Sequence, residues 1–249
     1  MSELKPQLIV ALDADTRKEA LVLVDSLAEV VDIFKVGSQL FTACGPDVVK
    51  DIIKRGKKVF LDLKFHDIPN TVAYSTSGAV VFSASVSNQV THHLNESPGL
   101  YMCTVHTSGG KEMLVAAVKA GQEKAKELNV IRPWIVGVTV LTSEEKNDDI
   151  QKIVLERARL AKDCGLDGVV ASPQEVKLIR NKLGKNFIIV TPGIPSSGDD
   201  AGDQKRIATP REAIKNGSNF LVVGRPILQA ENPLQVTKQI LAEINKRNL

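Results

Sequence analysis

Eight short apolar runs, rich in β-branched residues and spread along the whole chain, constrain its fold more than any other feature. They are Leu8–Leu12, Ile33–Val36, Val59–Leu63, Tyr101–Val105, Ile135–Val140, Gly168–Ala171, Phe187–Val190 and Phe220–Val223. Between most of them lie stretches with helical periodicity and charged faces, among them Arg17–Val30, Asp47–Lys54, Gly110–Leu128, Ile150–Cys164 and Pro210–Asn216. Near-continuous apolar strands that alternate with helices indicate a parallel sheet covered on both faces. Eight such units in 249 residues predict an α/β protein, a (β/α)8 TIM barrel forming one domain over 1–249. A doubly wound sheet, which usually needs fewer strands, is the alternative.

In such a barrel the active site lies at the C-terminal ends of the strands. The residues found there are Asp13, Lys35, Asp62 with Lys64, His106, Thr142, Ser172, Thr191 to Gly193, and Gly224 with Arg225. The densest cluster is the decapeptide DLKFHDIPNT at 62–71, which follows Val59, Phe60 and Leu61. Residues two apart in a strand share a face, so Asp62 and Lys64 project together. Taken alone, the pair is equally a surface ion pair of little energetic worth. Polar or ionisable groups at so many strand ends at once favour a site.

The last two strands end in VTPGI (190–194) and VVGRPI (222–227). Loops after strands 7 and 8 of these barrels often bind phosphate through backbone N–H groups and a helix N-terminus. Gly193 and Gly224 allow the backbone to approach an anion, and Arg225 adds a charge-assisted contact. Between them, GDQKRIATP (202–210) offers Gln204 on a loop suited to closing over a ligand. Two ordinary turns with a solvated arginine are the plain alternative.

Composition excludes other classes. A net charge of +3 with interspersed acids, and only 4% aromatic residues, argue against a nucleic-acid surface. Cys44, Cys103 and Cys164 are widely separated and in no metal-ligand spacing, as expected of reduced thiols in a cytoplasmic protein. The N-terminal MSELKPQLIVALD has no signal-peptide pattern, and no apolar run is long enough to span a bilayer. The charge-poor stretch from Tyr74 to Asn95 must hold the third helix. His92 and His93 within it are adjacent, so they read as a solvated loop or helix end rather than a metal site.

The motifs resemble, in order, those of the orotidine 5′-monophosphate decarboxylase family, bacterial type. They are ALD at Asp13, FKVG at Lys35, DLKFHDIPNT, VHTSGG at His106, VTVLTS at Thr142, GVVAS at Ser172, TPGI, GDQKRIATP and VVGRPI. The match runs from about residue 7 to residue 230. The resemblance implies cofactor-free, metal-free decarboxylation of orotidine 5′-monophosphate to UMP, the last step of pyrimidine synthesis. It implies that Asp62 and Lys64 form the catalytic core, with Asp13 and Lys35 on the ribose and in the charged network. Asp67 and Thr71 would reach the neighbouring subunit's site, making a homodimer with shared active sites. Thr142 would touch the pyrimidine, and Gln204, Gly224 and Arg225 would bind the phosphate.

Two positions depart from the pattern. Pro195 stands where bacterial members usually have an arginine after TPGI. The stretch from Thr71 to His106 is about fifteen residues longer than usual, which predicts an insertion around 81–98 between strands 3 and 4. Two rivals stand beside this reading. Related barrels that act on keto-acid or hexulose phosphates share the Asp-x-Lys element but use Mg2+, generally with a glutamate after strand 2, where this chain has Lys35. The other is a phosphate-binding barrel with no catalysis.

Overall fold

All eight apolar runs are strands, and they pair in chain order into a closed parallel barrel in which β1 also pairs with β8. A computed structural model of the chain describes residues 4–87, 99–141, 149–194 and 208–245. The strands are β1 (Gln7–Ala11), β2 (Ile33–Gly37), β3 (Lys58–Phe65), β4 (Leu100–His106), β5 (Trp134–Val138), β6 (Gly168–Val170), β7 (Ile188–Thr191) and β8 (Phe220–Val223). Helices α1 (Arg17–Leu27), α2 (Ser38–Cys44), α3 (Asp47–Lys54), α4 (Pro69–Ser87) and α5 (Gly110–Glu127) cover the first half. The second half carries α6 (Ile150–Asp163), α7 (Pro173–Leu183), α8 (Pro210–Asn216), α9 (Arg225–Leu228) and α10 (Pro233–Asn245). Among the described residues no helix is long and apolar enough to cross a membrane.

Local chemistry sets several boundaries. Thr16 caps α1 by accepting the Glu19 N–H at 3.2 Å. Thr209 and Glu212 form a reciprocal capping box at the start of α8, with Pro210 in its first turn. The helix expected in the 74–95 stretch is α4, which follows β3 and begins earlier, at Pro69, so Thr71 sits in its first turn. Of the expected insertion, 81–87 continues α4, and the remainder, with His92 and His93, lies outside the described residues.

The period of two along each strand divides the core. One set of side chains (Leu8, Val10, Phe34, Val59, Leu61, Cys103, Ile135) faces the helices. The other (Ile9, Ala11, Ile33, Phe60, Met102, Val136, Ile188, Val190, Phe220, Val222) fills the barrel. Tyr101, Trp134 and Phe220 pack at its N-terminal end in tilted and edge-to-face contacts, with ring centroids 4.8–5.9 Å apart. That apolar plug leaves the C-terminal end as the face where polar groups can gather. Two residues beyond the inward Ala11, Ile33, Phe60 and Met102 stand Asp13, Lys35, Asp62 and Thr104. The alternation that packs the interior also delivers a polar layer to its rim.

Candidate active site

Lys35 on β2 and Asp62 on β3 are nearly buried, with 12% and 13% of their side chains exposed, while Lys64 is 38% exposed. Lys64 Nζ donates to Asp62 Oδ2 at 3.0 Å. Lys35 Nζ donates to Asp13 Oδ1 at 3.1 Å and lies 4.0 Å from Asp62 Oδ2. Cation and carboxylate thus alternate from Asp13 through Lys35 and Asp62 to Lys64. Each ammonium is paired, which makes the desolvation of such groups tolerable.

Lys64 does not reach Asp62 by simple strand alternation. The β3–β4 register passes from Leu61 opposite Cys103 to Phe65 opposite Val105, so β3 takes four steps where β4 takes two. Lys64 occupies the left-handed region at φ 52° inside this bulge. Bulges re-aim side chains, and this one turns Lys64 back over the barrel mouth. The Lys64 N–H donates to Thr104 Oγ1 at 2.7 Å, and the Thr104 hydroxyl donates to Asp62 Oδ1 at 3.1 Å.

Glycines make room for the array. A Cβ at Gly37 would stand 2.8 Å from Lys35 Nζ, and one at Gly224 would stand 3.2 Å from Asp13 Oδ2. Gly224 therefore brings the end of β8 against the end of β1. Arg225 follows at the start of α9, with its residue exposed to solvent. Gly193, past the end of β7, has φ 81°, a conformation that favours glycine.

A cavity of about 140 Å3 opens beside the array. Lys35, Asp62 and Lys64 form its charged edge, while Phe60, Val138, Val140, Leu141, Val170, Ala171, Pro192 and Val222 form its apolar walls. Such a slot suits a flat ring with one polar, reacting edge. Asp67 and Thr71 are exposed and do not line this cavity. Asp67 Oδ1 accepts the Ile68 N–H at 2.7 Å, and Ile68 and Tyr74 beside it are 66% and 72% exposed. The His66 ring stacks on His106 at 5.2 Å, and His106 Nδ1 accepts the Ser108 N–H at 3.3 Å, anchoring the strand end from which Asp67 departs.

The structure thus gathers Asp13, Lys35, Asp62, Lys64 and Gly224 at one mouth. Thr142, Pro195 and Gln204 lie outside the described residues. No group of three or more His, Cys, Asp or Glu side chains suited to a metal ion occurs among the described residues. Sequence reading missed Thr104: the run Tyr101–Val105 does not by itself show which residues face inward, and only the inward placement of Met102 sets Thr104, two residues on, at the mouth.

A closed (β/α)8 barrel that sets two ammonium groups and two carboxylates at the mouth of an apolar cavity is the framework of a barrel enzyme. Residues 6–240 match the family described as Orotidine 5'-phosphate decarboxylase / HUMPS family, and the chain belongs to that family. Among curated proteins it is 43% identical over 250 residues to orotidine 5'-phosphate decarboxylase of Syntrophomonas wolfei, covering 96% of this chain and 98% of that one. With the enzyme of the same name from Legionella pneumophila (strain Paris) it shares 45% identity over 247 residues, covering 96% and 99%. The solved structure of orotidine 5'-phosphate decarboxylase from Lactobacillus acidophilus superposes with a TM-score of 0.77 at 33% identity, covering 97% of this chain and 99% of that one.

Proposed function

We propose that this chain decarboxylates orotidine 5′-monophosphate to UMP, the closing step of pyrimidine synthesis. The observation that carries the reading is the Lys64 ammonium, hydrogen-bonded to the nearly buried Asp62 at the edge of an apolar slot, in a chain of this family. Loss of CO2 from C6 leaves an electron pair in the ring plane, out of conjugation with the π-system. Stabilisation is then electrostatic and must be in place before the bond breaks. Lys64 supplies the positive charge and afterwards the proton to C6, and the electron pair of the broken C–C bond becomes the new C–H bond.

One unit charge about 4 Å from the developing carbanion contributes about 4 kcal/mol at an effective dielectric near 20. That is about three powers of ten, too little by itself for so difficult a reaction. Binding at the remote phosphate, by Gln204, Gly224 and Arg225, supplies the rest, its binding energy being used to order the reacting centre and exclude water. Asp13 and Lys35 hold the ribose hydroxyls, and Thr142 contacts the pyrimidine. No metal or organic cofactor takes part.

Asp67 and Thr71 complete the site of a second copy, so the working unit is a homodimer of single-domain barrels in the cytoplasm. In support, Asp67 and Thr71 project from the chain beside exposed Ile68 and Tyr74, close in sequence to Lys64 yet outside its own cavity. The test is CO2 release from orotidine 5′-monophosphate with and without excess EDTA. Equal release under both conditions is the expected result. Activity only on a hexulose or keto-acid phosphate, abolished by EDTA, would replace this reading with the Mg2+ lyase. Nucleotide binding with no CO2 release would replace it with a non-catalytic barrel.

A further inference from the structure

The bulge in β3 leaves a gap in the ladder opposite Thr104. Between Leu61 and Phe65 the backbone of β3 arches away from β4, and the Lys64 N–H finds its acceptor in a side chain, Thr104 Oγ1, at 2.7 Å. Lys64 is held there at φ 52°, a conformation that residues other than glycine rarely adopt. The same hydroxyl donates a hydrogen bond to Asp62 Oδ1 at 3.1 Å. Because Oγ1 already accepts from a backbone N–H, its own hydrogen is free for the carboxylate, and the polarity of both bonds is fixed.

We infer that Thr104 is a positioning residue for the decarboxylation proposed above, an inference that rests on that reading. With Oδ1 tied to Thr104, Asp62 keeps Oδ2 turned to Lys64 at 3.0 Å and to Lys35 at 4.0 Å. One hydroxyl therefore sets the backbone that carries the proton donor and the carboxylate that aims it. Thr104 is fully buried, so water does not readily take its place. A valine of the same shape would leave the Lys64 N–H and Asp62 Oδ1 without this partner in a dry setting. A serine would keep the oxygen.

The test compares purified full-length Thr104→Val and Thr104→Ser with wild type in steady-state CO2 release. For Thr104→Val, kcat should fall about 10- to 100-fold while KM for orotidine 5′-monophosphate stays within about threefold, the loss of a hydrogen bond to a charged group. Thr104→Ser should restore most of kcat. A merely structural role would lower the melting temperature without this split between kcat and KM. If Thr104→Val does not fold, Thr104→Cys replaces it, its thiol being a weak donor, and kcat should again fall with KM held. Wild-type kcat in a folded valine or cysteine variant overturns the inference alone. A wild-type protein that releases no CO2 overturns the proposed function and this inference with it.

Discussion

Gly37→Ala isolates the placement of Lys35. Gly37 is extended, at φ −93° and ψ −179°, so alanine fits its backbone. The new Cβ, however, would lie 2.8 Å from Lys35 Nζ, and the ammonium must retreat by about 1 Å to reach ordinary contact. That retreat breaks the 3.1 Å hydrogen bond to Asp13. A charge-assisted bond is worth about 1.5–3 kcal/mol, and the lower end applies here because Asp13 is 41% exposed. Moving Lys35 from 4.0 Å to about 5 Å from Asp62 weakens their attraction from about 4 to about 3 kcal/mol at an effective dielectric of 20. The array loses about 2 kcal/mol, or about 30-fold in kcat/KM where the loss is felt in the transition state. The same loss lowers folding stability, by about 1–2 kcal/mol once the restriction that alanine places on the unfolded chain offsets part of it. The assay is CO2 release beside thermal unfolding, with Tm expected to fall by about 2–8 °C for a folded variant. A folded Gly37→Ala enzyme with wild-type kcat/KM would refute the role given to Lys35. A variant that does not fold would show that the glycine serves the backbone instead.

Lys64→Ala and Asp67→Ala proteins should each be nearly inactive, and mixing them under conditions of subunit exchange should restore one intact site per heterodimer. Exchange demonstrated without recovered activity would rule out shared sites. Cys103 is buried and its thiol is pushed up to about 12 by burial, so at pH 8 a thiol reagent should modify the native protein rapidly at half-buried Cys44 and not at Cys103. Cys44→Ser should abolish that fast phase, and denaturant should expose all three thiols. Burial likewise pushes the Tyr101 phenol up to about 12 from its ordinary 10.0, partly countered by its hydrogen bond with Gln7. The fold therefore favours the neutral phenol, and this contribution is complete below about pH 10 and is lost as pH rises toward 12. Absorbance titration should place one tyrosine ionisation near pH 12, and Tyr101→Phe should remove it.

The barrel was legible because its strands are buried on both faces, so that sequences such as LIVAL and IIVT carry their own boundaries. Helices α2, α7, α9 and α10 stood out less, their positions set as much by strand spacing as by periodicity. Asp13, Lys35, Asp62 and Gly224 could be placed from strand ends alone, since period two carries the interior pattern outward to the rim. The Asp62–Lys64 contact was foreseen for a reason only partly right. The two meet through a bulge with a left-handed lysine, a geometry that pairing with β4 creates and that no local propensity of DLKF encodes. Thr104 went unnamed because its importance appears only once that bulge removes the ladder partner of Lys64.

The central claim is that the Lys64 ammonium both stabilises the C6 carbanion and protonates it. Release of labelled CO2 from carboxyl-labelled orotidine 5′-monophosphate, by wild type and by a folded Lys64→Ala variant, tests this most directly. The expected result is a loss of at least about 1000-fold in kcat/KM, the value of one unit charge at about 4 Å. A folded Lys64→Ala enzyme within about tenfold of wild type would contradict it.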